Sequence, residues 1–330
     1  MELMGVVVVV LASVLVLCYS SVLEAQLQVG FYKSTCPQAE YIIASEVRRA
    51  LASNIGLAAG LVRMHFHDCF VRGCDGSVLI DSSSNNTAEK DSFINNPSLR
   101  GFEVIDNAKT RLEAACQGVV SCADILALAA RDSVVMTGGV MYQVPAGRRD
   151  GRVSLVSEVL ASLPGPTFDV DQLTRSFASK GLTQDEMVTL SGTAHTIGRS
   201  HCAAFSSRLF DFNSTDGHDP SLDSAYASQL KQQCPQGSND TSLVAFMDPR
   251  SPYTLDTAYY ANLLQNRGLF ASDQALATDS TTAGLVKQNA AAGGGIAWKR
   301  KFAAAMVKMG QIDVLTGSDG EIRSRCRVIN

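Results

Sequence analysis

Nine cysteines in 330 residues are the strongest constraint on how this chain can fold. Cys18 lies in an apolar leader. Gly5 to Leu17 is a valine-rich run, and Leu23-Glu24-Ala25 ahead of Gln26 has the form of a signal-peptidase site. The run is too short for a comfortable membrane span. Met1 to Met4 lacks the usual basic residue of such leaders. Cleavage after Ala25 leaves Cys36, Cys69, Cys74, Cys116, Cys122, Cys202, Cys234 and Cys326. An even set in an exported chain reads as four disulfides, with every pairing still open. Sequons at Asn85, Asn213 and Asn239 suit the same compartment and predict an N-glycosylated protein.

The mature charge is close to neutral. Losing Glu2 and Glu24 leaves 28 basic against 30 acidic residues, which argues against a nucleic-acid partner. After leader removal no apolar run calls for a membrane.

Apolar residues recur at helical spacing over most of the chain. The pattern predicts helices over Ala39–Asn54, Leu57–Phe70, Phe102–Cys116, Cys122–Met136, Asp171–Lys180, Thr183–Ser191, Leu222–Cys234, Thr257–Arg267 and Ala304–Met309. Strand-like alternation is scarce, so a mainly α fold with very little β is expected. Asp81–Arg100 and the Pro/Gly-rich Val144–Pro166 read as irregular, the second separating two helical lobes. Gly293, Gly294 and Gly295 should interrupt a helix.

Arg63 to Ser77 (Arg-Met-His-Phe-His-Asp-Cys-Phe-Val-Arg-Gly-Cys-Asp-Gly-Ser) carries the densest chemistry. On a helix Arg63 and His67 share a face, with Phe66 beside them. A basic imidazole next to a guanidinium suits a reaction that moves a proton while negative charge develops. His65 points about 200° away from His67, so a structural role is expected for it. The same geometry weighs against zinc bound by His65 and His67. Asp68, Asp75 and Ser77 offer hard oxygen ligands.

Together with Phe31-Tyr32, Cys36-Pro37, Glu89-Lys90-Asp91, Val120 to Asp124, Gly147 to Asp150, the stretch around His195 and Ser272-Asp273-Gln274, this segment closely resembles the secretory plant (class III) haem peroxidases. The likeness runs from about Gln26 to the C-terminus. It implies a two-lobed helical fold: a signal peptide over 1–25, then a peroxidase domain over 26–330. The distal lobe would cover about 26–166 plus the C-terminal segment, and the proximal lobe about 167–300.

The resemblance also implies roles. Arg63 and His67 would cleave hydrogen peroxide, Asn95 would hold the other ring N–H of His67, and Phe66 would wall the pocket. His195 would ligate the iron of one haem b, backed by Asp273, with Arg199 near a propionate. Two Ca²⁺ are implied. One would be held by Asp68, Val71, Gly73, Asp75 and Ser77, with Glu89 through water. The other would be held by Thr196, Asp248, Ser251, Thr254 and Asp256. Pro164 would lie at the donor entrance. The implied disulfides are Cys36–Cys116, Cys69–Cys74, Cys122–Cys326 and Cys202–Cys234. Asp124 and Arg148 would form a buried ion pair.

The implied protein is a secreted monomer of the apoplast or cell wall that oxidises small phenolic donors. No long tail follows Cys326. The chain departs from the family at one place. The usual Leu-Ser-Gly-Ala-His carries an extra residue here, Thr193 or a neighbour. One inserted residue rotates a helix by about 100° unless something absorbs it. A non-catalytic calcium- or wall-binding protein on the same scaffold is therefore the alternative reading.

Overall fold

The computed structural model describes residues 26–213, 217–238 and 240–330. The leader, and the Asn213 and Asn239 sequons in part, lie outside the described residues. Asn85 is exposed.

Helices dominate. In order they are α1 (Ala39–Ser53), α2 (Leu57–Val71), α3 (Phe102–Ala115), α4 (Cys122–Met136), α5 (Val156–Ser162), α6 (Val170–Ser179) and α7 (Gln184–Thr196). They continue with α8 (Ser206–Phe210), α9 (Ser224–Gln233), α10 (Ala258–Leu264), α11 (Ala271–Thr278), α12 (Ala283–Ala291) and α13 (Ile296–Met309). Two small antiparallel ribbons complete the described residues. Gln28–Val29 pairs with Pro145–Ala146, and Arg199–His201 pairs with Val244–Phe246.

The ends of these helices follow from local chemistry. Ser121 accepts the Asp124 N–H and so starts α4. Thr183 and Glu186 close a capping box at the start of α7, as Asp169 and Gln172 do for α6. Gly293 and Gly294 adopt left-handed φ of 58° and 70°, which separates α12 from α13 as the glycine run predicts. Two expectations need correction. Val144–Pro166 is not wholly irregular, because α5 forms within it, burying only Val159. The helix expected over Ala304–Met309 starts at Ile296, because Trp298 and Phe302 extend its buried face by a turn and more.

Every residue of α4 from Cys122 to Val134 is buried, so it forms the centre against which α1, α2 and α3 pack. A second core gathers α6, α7 and α10 with Trp298, Phe302 and Met306 of α13. Four disulfides brace the whole: Cys36–Cys116, Cys69–Cys74, Cys122–Cys326 and Cys202–Cys234. Those are the pairings the resemblance implies.

Arg148 and Asp124 pair at 2.7 Å, both fully buried. Tyr32 also donates to Asp124 at 2.6 Å, and Arg148 reaches the Gly310 carbonyl at 2.9 Å. Removing one partner of such a pair costs about 3–5 kcal/mol, because the other charge is left without compensation. Among the described residues no helix is long and apolar enough to cross a membrane.

Candidate active site

The three- and four-residue spacing on α2 brings Arg63, Phe66, His67 and Phe70 to one side. Arg63 is half-buried. It donates to Ser98 Oγ at 2.8 Å and to the Ile94 carbonyl at 3.2 Å. Neither partner is a carboxylate, so its charge is not cancelled. Burial lowers its pKa to about 10, helped by Arg100, and the guanidinium remains cationic at neutral pH.

His67 Nδ1 lies 2.7 Å from Asn95 Oδ1. Asn95 Nδ2 in turn donates to the Glu89 carbonyl at 2.8 Å, which orients the amide with its oxygen toward the ring. Nδ1 must therefore carry the proton, and Nε2 keeps a free lone pair. Burial, and then the charge of Arg63, push the His67 pKa well below the usual value; the Asn95 bond opposes this only in part. Phe66 packs on Phe70 with centroids 4.2 Å apart, and Phe177 of α6 lies beyond at 6.3 Å.

His65 is buried away from this group, with Nδ1 3.6 Å from Cys69 Sγ. Burial lowers its pKa to about 3, with Arg148 adding to the effect, so it stays neutral.

A second imidazole projects from the C-terminal end of α7. His195 Nδ1 lies 2.6 Å from Asp273 Oδ1, so the extra residue has not displaced it from this carboxylate. Asp273 is buried, and its Oδ1 also accepts the Tyr259 hydroxyl at 2.9 Å, while Oδ2 accepts the Phe270 N–H at 2.9 Å. Burial raises the Asp273 pKa, but His195 and these donors outweigh burial and hold the carboxyl below its ordinary value. Phe270 and Tyr259 flank the ring edge-on, at 5.4 and 6.0 Å. The His195 side chain keeps 29% of its surface. Just past it, Gly198 approaches Ala59 of α2 so closely that a Cβ would lie 2.7 Å from the Ala59 methyl. The two histidine-bearing helices thus converge at one edge.

The hard-oxygen residues fall into two groups. Asp68 accepts the Gly76 N–H at 2.9 Å, Asp75 accepts the Ser77 N–H at 2.9 Å, and all of these are buried. Ser77 Oγ and both Glu89 carboxyl oxygens are buried without a hydrogen-bond partner. Burial raises all three carboxyls, Asp68 well above the usual range and Glu89 to about 8. Such a set fits a hard cation bound by mixed carboxylate, hydroxyl and carbonyl oxygens. In the second group Thr196 donates to Asp256 at 3.1 Å and Ser251 to Asp248 at 3.3 Å, with the Thr254 N–H on the Ser251 carbonyl.

Arg199 is exposed, and with Arg100 lines a small cleft that also includes Gly198 and Tyr253. Burial lowers the Arg100 pKa, and the charge of Arg199 adds to the effect. Pro164 is half-buried in the turn before α6. Two residues on, the Pro166 carbonyl accepts the Ser272 N–H at 3.0 Å, tying this turn to the helix of Asp273.

Sequence reasoning missed Ser98 and Ile94, which hold Arg63, and Tyr259 and Phe270, which frame His195. Tyr259 sits in a stretch read only as helix. No local spacing links it to Asp273.

A mainly helical, disulfide-braced fold with one imidazole backed by an amide and another by a carboxylate defines a peroxidase-type site. A family model described as Peroxidase matches residues 43–292. Over 314 residues the chain is 67% identical to "Peroxidase 5" of Vitis vinifera, covering 95% of this chain and 94% of that one. It is 50% identical over 309 residues to "Peroxidase 3" of Arabidopsis thaliana, covering 93% of each. It is 49% identical over 327 residues to "Peroxidase 1" of Zea mays, covering 98% and 88%. The chain belongs to the plant class III peroxidase family, and it is an enzyme of the peroxidase type. Membership implies haem, hydrogen peroxide and a reducing donor.

Proposed function

We propose that this is a secreted haem peroxidase that reduces hydrogen peroxide and oxidises small phenolics by one-electron steps. Lignin precursors and wall phenolics are the donor class, and oxidative-stress response falls within the same chemistry. One observation carries this reading: two imidazoles of the same chain have opposite Nδ1 partners, Asn95 for His67 and Asp273 for His195.

The residues fit a haem between them. His195 would hold the iron through Nε2, and Arg199 with Arg100 would meet a carboxylate of the group. When bound, the haem supplies the two electrons that break the O–O bond and recovers them singly from donors. The free Nε2 of His67 takes a proton from peroxide and returns it to the departing oxygen, which leaves as water. Arg63 stabilises the negative charge that develops during that cleavage. Asn95 keeps the reactive nitrogen of His67 unprotonated. Phe66 excludes larger molecules from this side. Asp273 holds the Nδ1–H of His195 and makes it a stronger donor to the metal. The Pro164 carbonyl receives phenols at the entrance.

The two oxygen groups would each bind one Ca²⁺. Asp68, Val71, Gly73, Asp75 and Ser77, with Glu89 through water, fix the backbone beside His67. Thr196, Asp248, Ser251, Thr254 and Asp256 do so beside His195. The protein would act as a glycosylated monomer outside the cell.

The test is an absorption spectrum of purified protein. A Soret band with ferric high-spin character is expected. Its absence after haem reconstitution would overturn the reading in favour of a non-catalytic wall or calcium binder. The His195–Asp273 bond argues against that alternative, which needs His195 displaced.

A further inference from the structure

Asp273 stands in the first turn of α11. Its Oδ2 accepts the Phe270 N–H at 2.9 Å, a contact made within its own stretch of chain. Its Oδ1 receives two side chains from elsewhere in the fold. His195 Nδ1 lies 2.6 Å away, and the Tyr259 hydroxyl of α10 donates at 2.9 Å. An ionised carboxylate can only accept, so both groups donate to the same oxygen. Tyr259 and Asp273 are each 2% exposed, so bulk water does not share that oxygen. The phenol is also held independently of the carboxylate. Its ring meets Tyr260 edge-on at 5.3 Å and His195 at 6.0 Å. Tyr260 docks α10 on α7: its hydroxyl donates to the Val188 carbonyl at 3.0 Å, and a Cβ on Gly192 would lie 2.2 Å from its Cζ.

A carboxylate oxygen has limited negative charge to share. Each donor stabilises the ionised form and makes the oxygen a weaker acceptor for the next. The Phe270 N–H already orients Asp273 from its other oxygen, so the hydroxyl is not needed to hold the carboxylate in place. A phenylalanine would fill the same space and leave Oδ1 to His195 alone. What the hydroxyl adds is competition for that oxygen.

We propose that Tyr259 is a positioning residue of the His195 site: its hydroxyl shares Asp273 Oδ1 with the imidazole and so limits how strongly His195 binds a metal. This rests on the reading of His195 as the haem ligand. An imidazole drawn fully toward imidazolate would bind iron more tightly and make its ferric form harder to reduce. Tyr259 holds the pull of Asp273 below that limit.

The test uses the full haem-loaded protein. Its readings are the iron–imidazole stretching band of the ferrous form by resonance Raman and the ferric–ferrous midpoint potential by spectroelectrochemistry. In Tyr259→Phe the band is expected to shift up and the potential to become more negative, because Asp273 then accepts from His195 alone at Oδ1. The sign carries the test. If the hydroxyl served only to hold the carboxylate, its loss would free Asp273 and the band would move down; that result, or an unmoved band, overturns the role. Incorporation of 3-fluorotyrosine at position 259 serves if Tyr259→Phe does not accumulate. A stronger donor of nearly the same shape should lower the band, and an unmoved or raised band overturns the role. Tyr260→Phe is the control, since Tyr260 is as deeply buried but makes no hydrogen bond to Asp273. Its band should stay in place, and an upward shift equal to that of Tyr259→Phe overturns the role in favour of packing. His195→Ala separates the two claims. If the band vanishes there but stays unmoved in Tyr259→Phe, only the role of Tyr259 falls. If it survives in His195→Ala, the ligand assignment falls and the role of Tyr259 with it.

Discussion

His67 and His195 are the same side chain, each gripped at Nδ1, and they differ in what grips them. Asn95 is a neutral amide turned by the Glu89 carbonyl so that it can only accept. It fixes a tautomer without adding charge. Asp273 is a carboxylate held ionised by His195, Tyr259 and the Phe270 N–H. It adds electron density to the ring. In the proposed reading, protein environment makes one imidazole a free base and the other a stronger metal ligand, with no change of residue type. The supports differ as well. The His67 side leans on α2 and one loop, whereas the His195 side draws on α7, α10 and α11.

The most severe way to break this pairing is His67→Leu. Loss of the base should slow peroxide cleavage by about 10²–10⁴-fold, while the Soret band persists. Stopped-flow mixing with peroxide measures it, and an unchanged rate would refute the role. Asp273→Asn makes the His195 side resemble the His67 side by placing an amide behind both rings. Peroxide cleavage or haem affinity is expected to fall by about 10–100-fold, read by the same kinetics and by haem transfer to apomyoglobin.

Calcium removal sharpens the contrast in stability. Asp68, Asp75 and Glu89 are buried together, and without a cation they must take up protons or repel. A site saturated at one hundred times its dissociation constant stabilises by about 2.7 kcal/mol. Chelation should therefore lower the unfolding temperature by several degrees, as calorimetry would show. An unaltered melting curve would count against the assignment.

The smallest effect belongs to His65, the histidine with neither role. Its folded pKa is about 3, against about 6.5 in an unfolded chain. Between those values the unfolded chain binds a proton that the folded chain excludes. Stability therefore falls as pH falls through this window, by up to about 1.4 kcal/mol per unit. Urea unfolding of wild type and His65→Gln at pH 6.5 and 4.5 checks it, and the variant should show the shallower loss.

Much of the His67 side was legible because it is local. Arg63, Phe66 and His67 lie within two turns of one helix, and the exclusion of His65 follows from helical rotation alone. Helix α4 was equally plain, since Ser121 caps it and its apolar spacing is unbroken. The His195 side was legible only in part. The extra residue signalled a problem, but whether His195 still meets its carboxylate depends on Asp273, 78 residues on. No periodicity spans that distance. Trp298 was conspicuous for its rarity and gained meaning only through contact. The α5 helix was hidden by the prolines and glycines on either side of it.

The sequence by itself determined the helical class, the cysteine inventory and the residues able to act as base, cation and ligand, because these depend on side-chain chemistry and spacing within one element. Only the tertiary structure decided which nitrogen of each imidazole is held, what holds it, and that His195 reaches Asp273 despite the extra residue. Those outcomes depend on contacts between segments far apart in the chain, and packing and hydrogen-bond satisfaction select them only once the chain has folded.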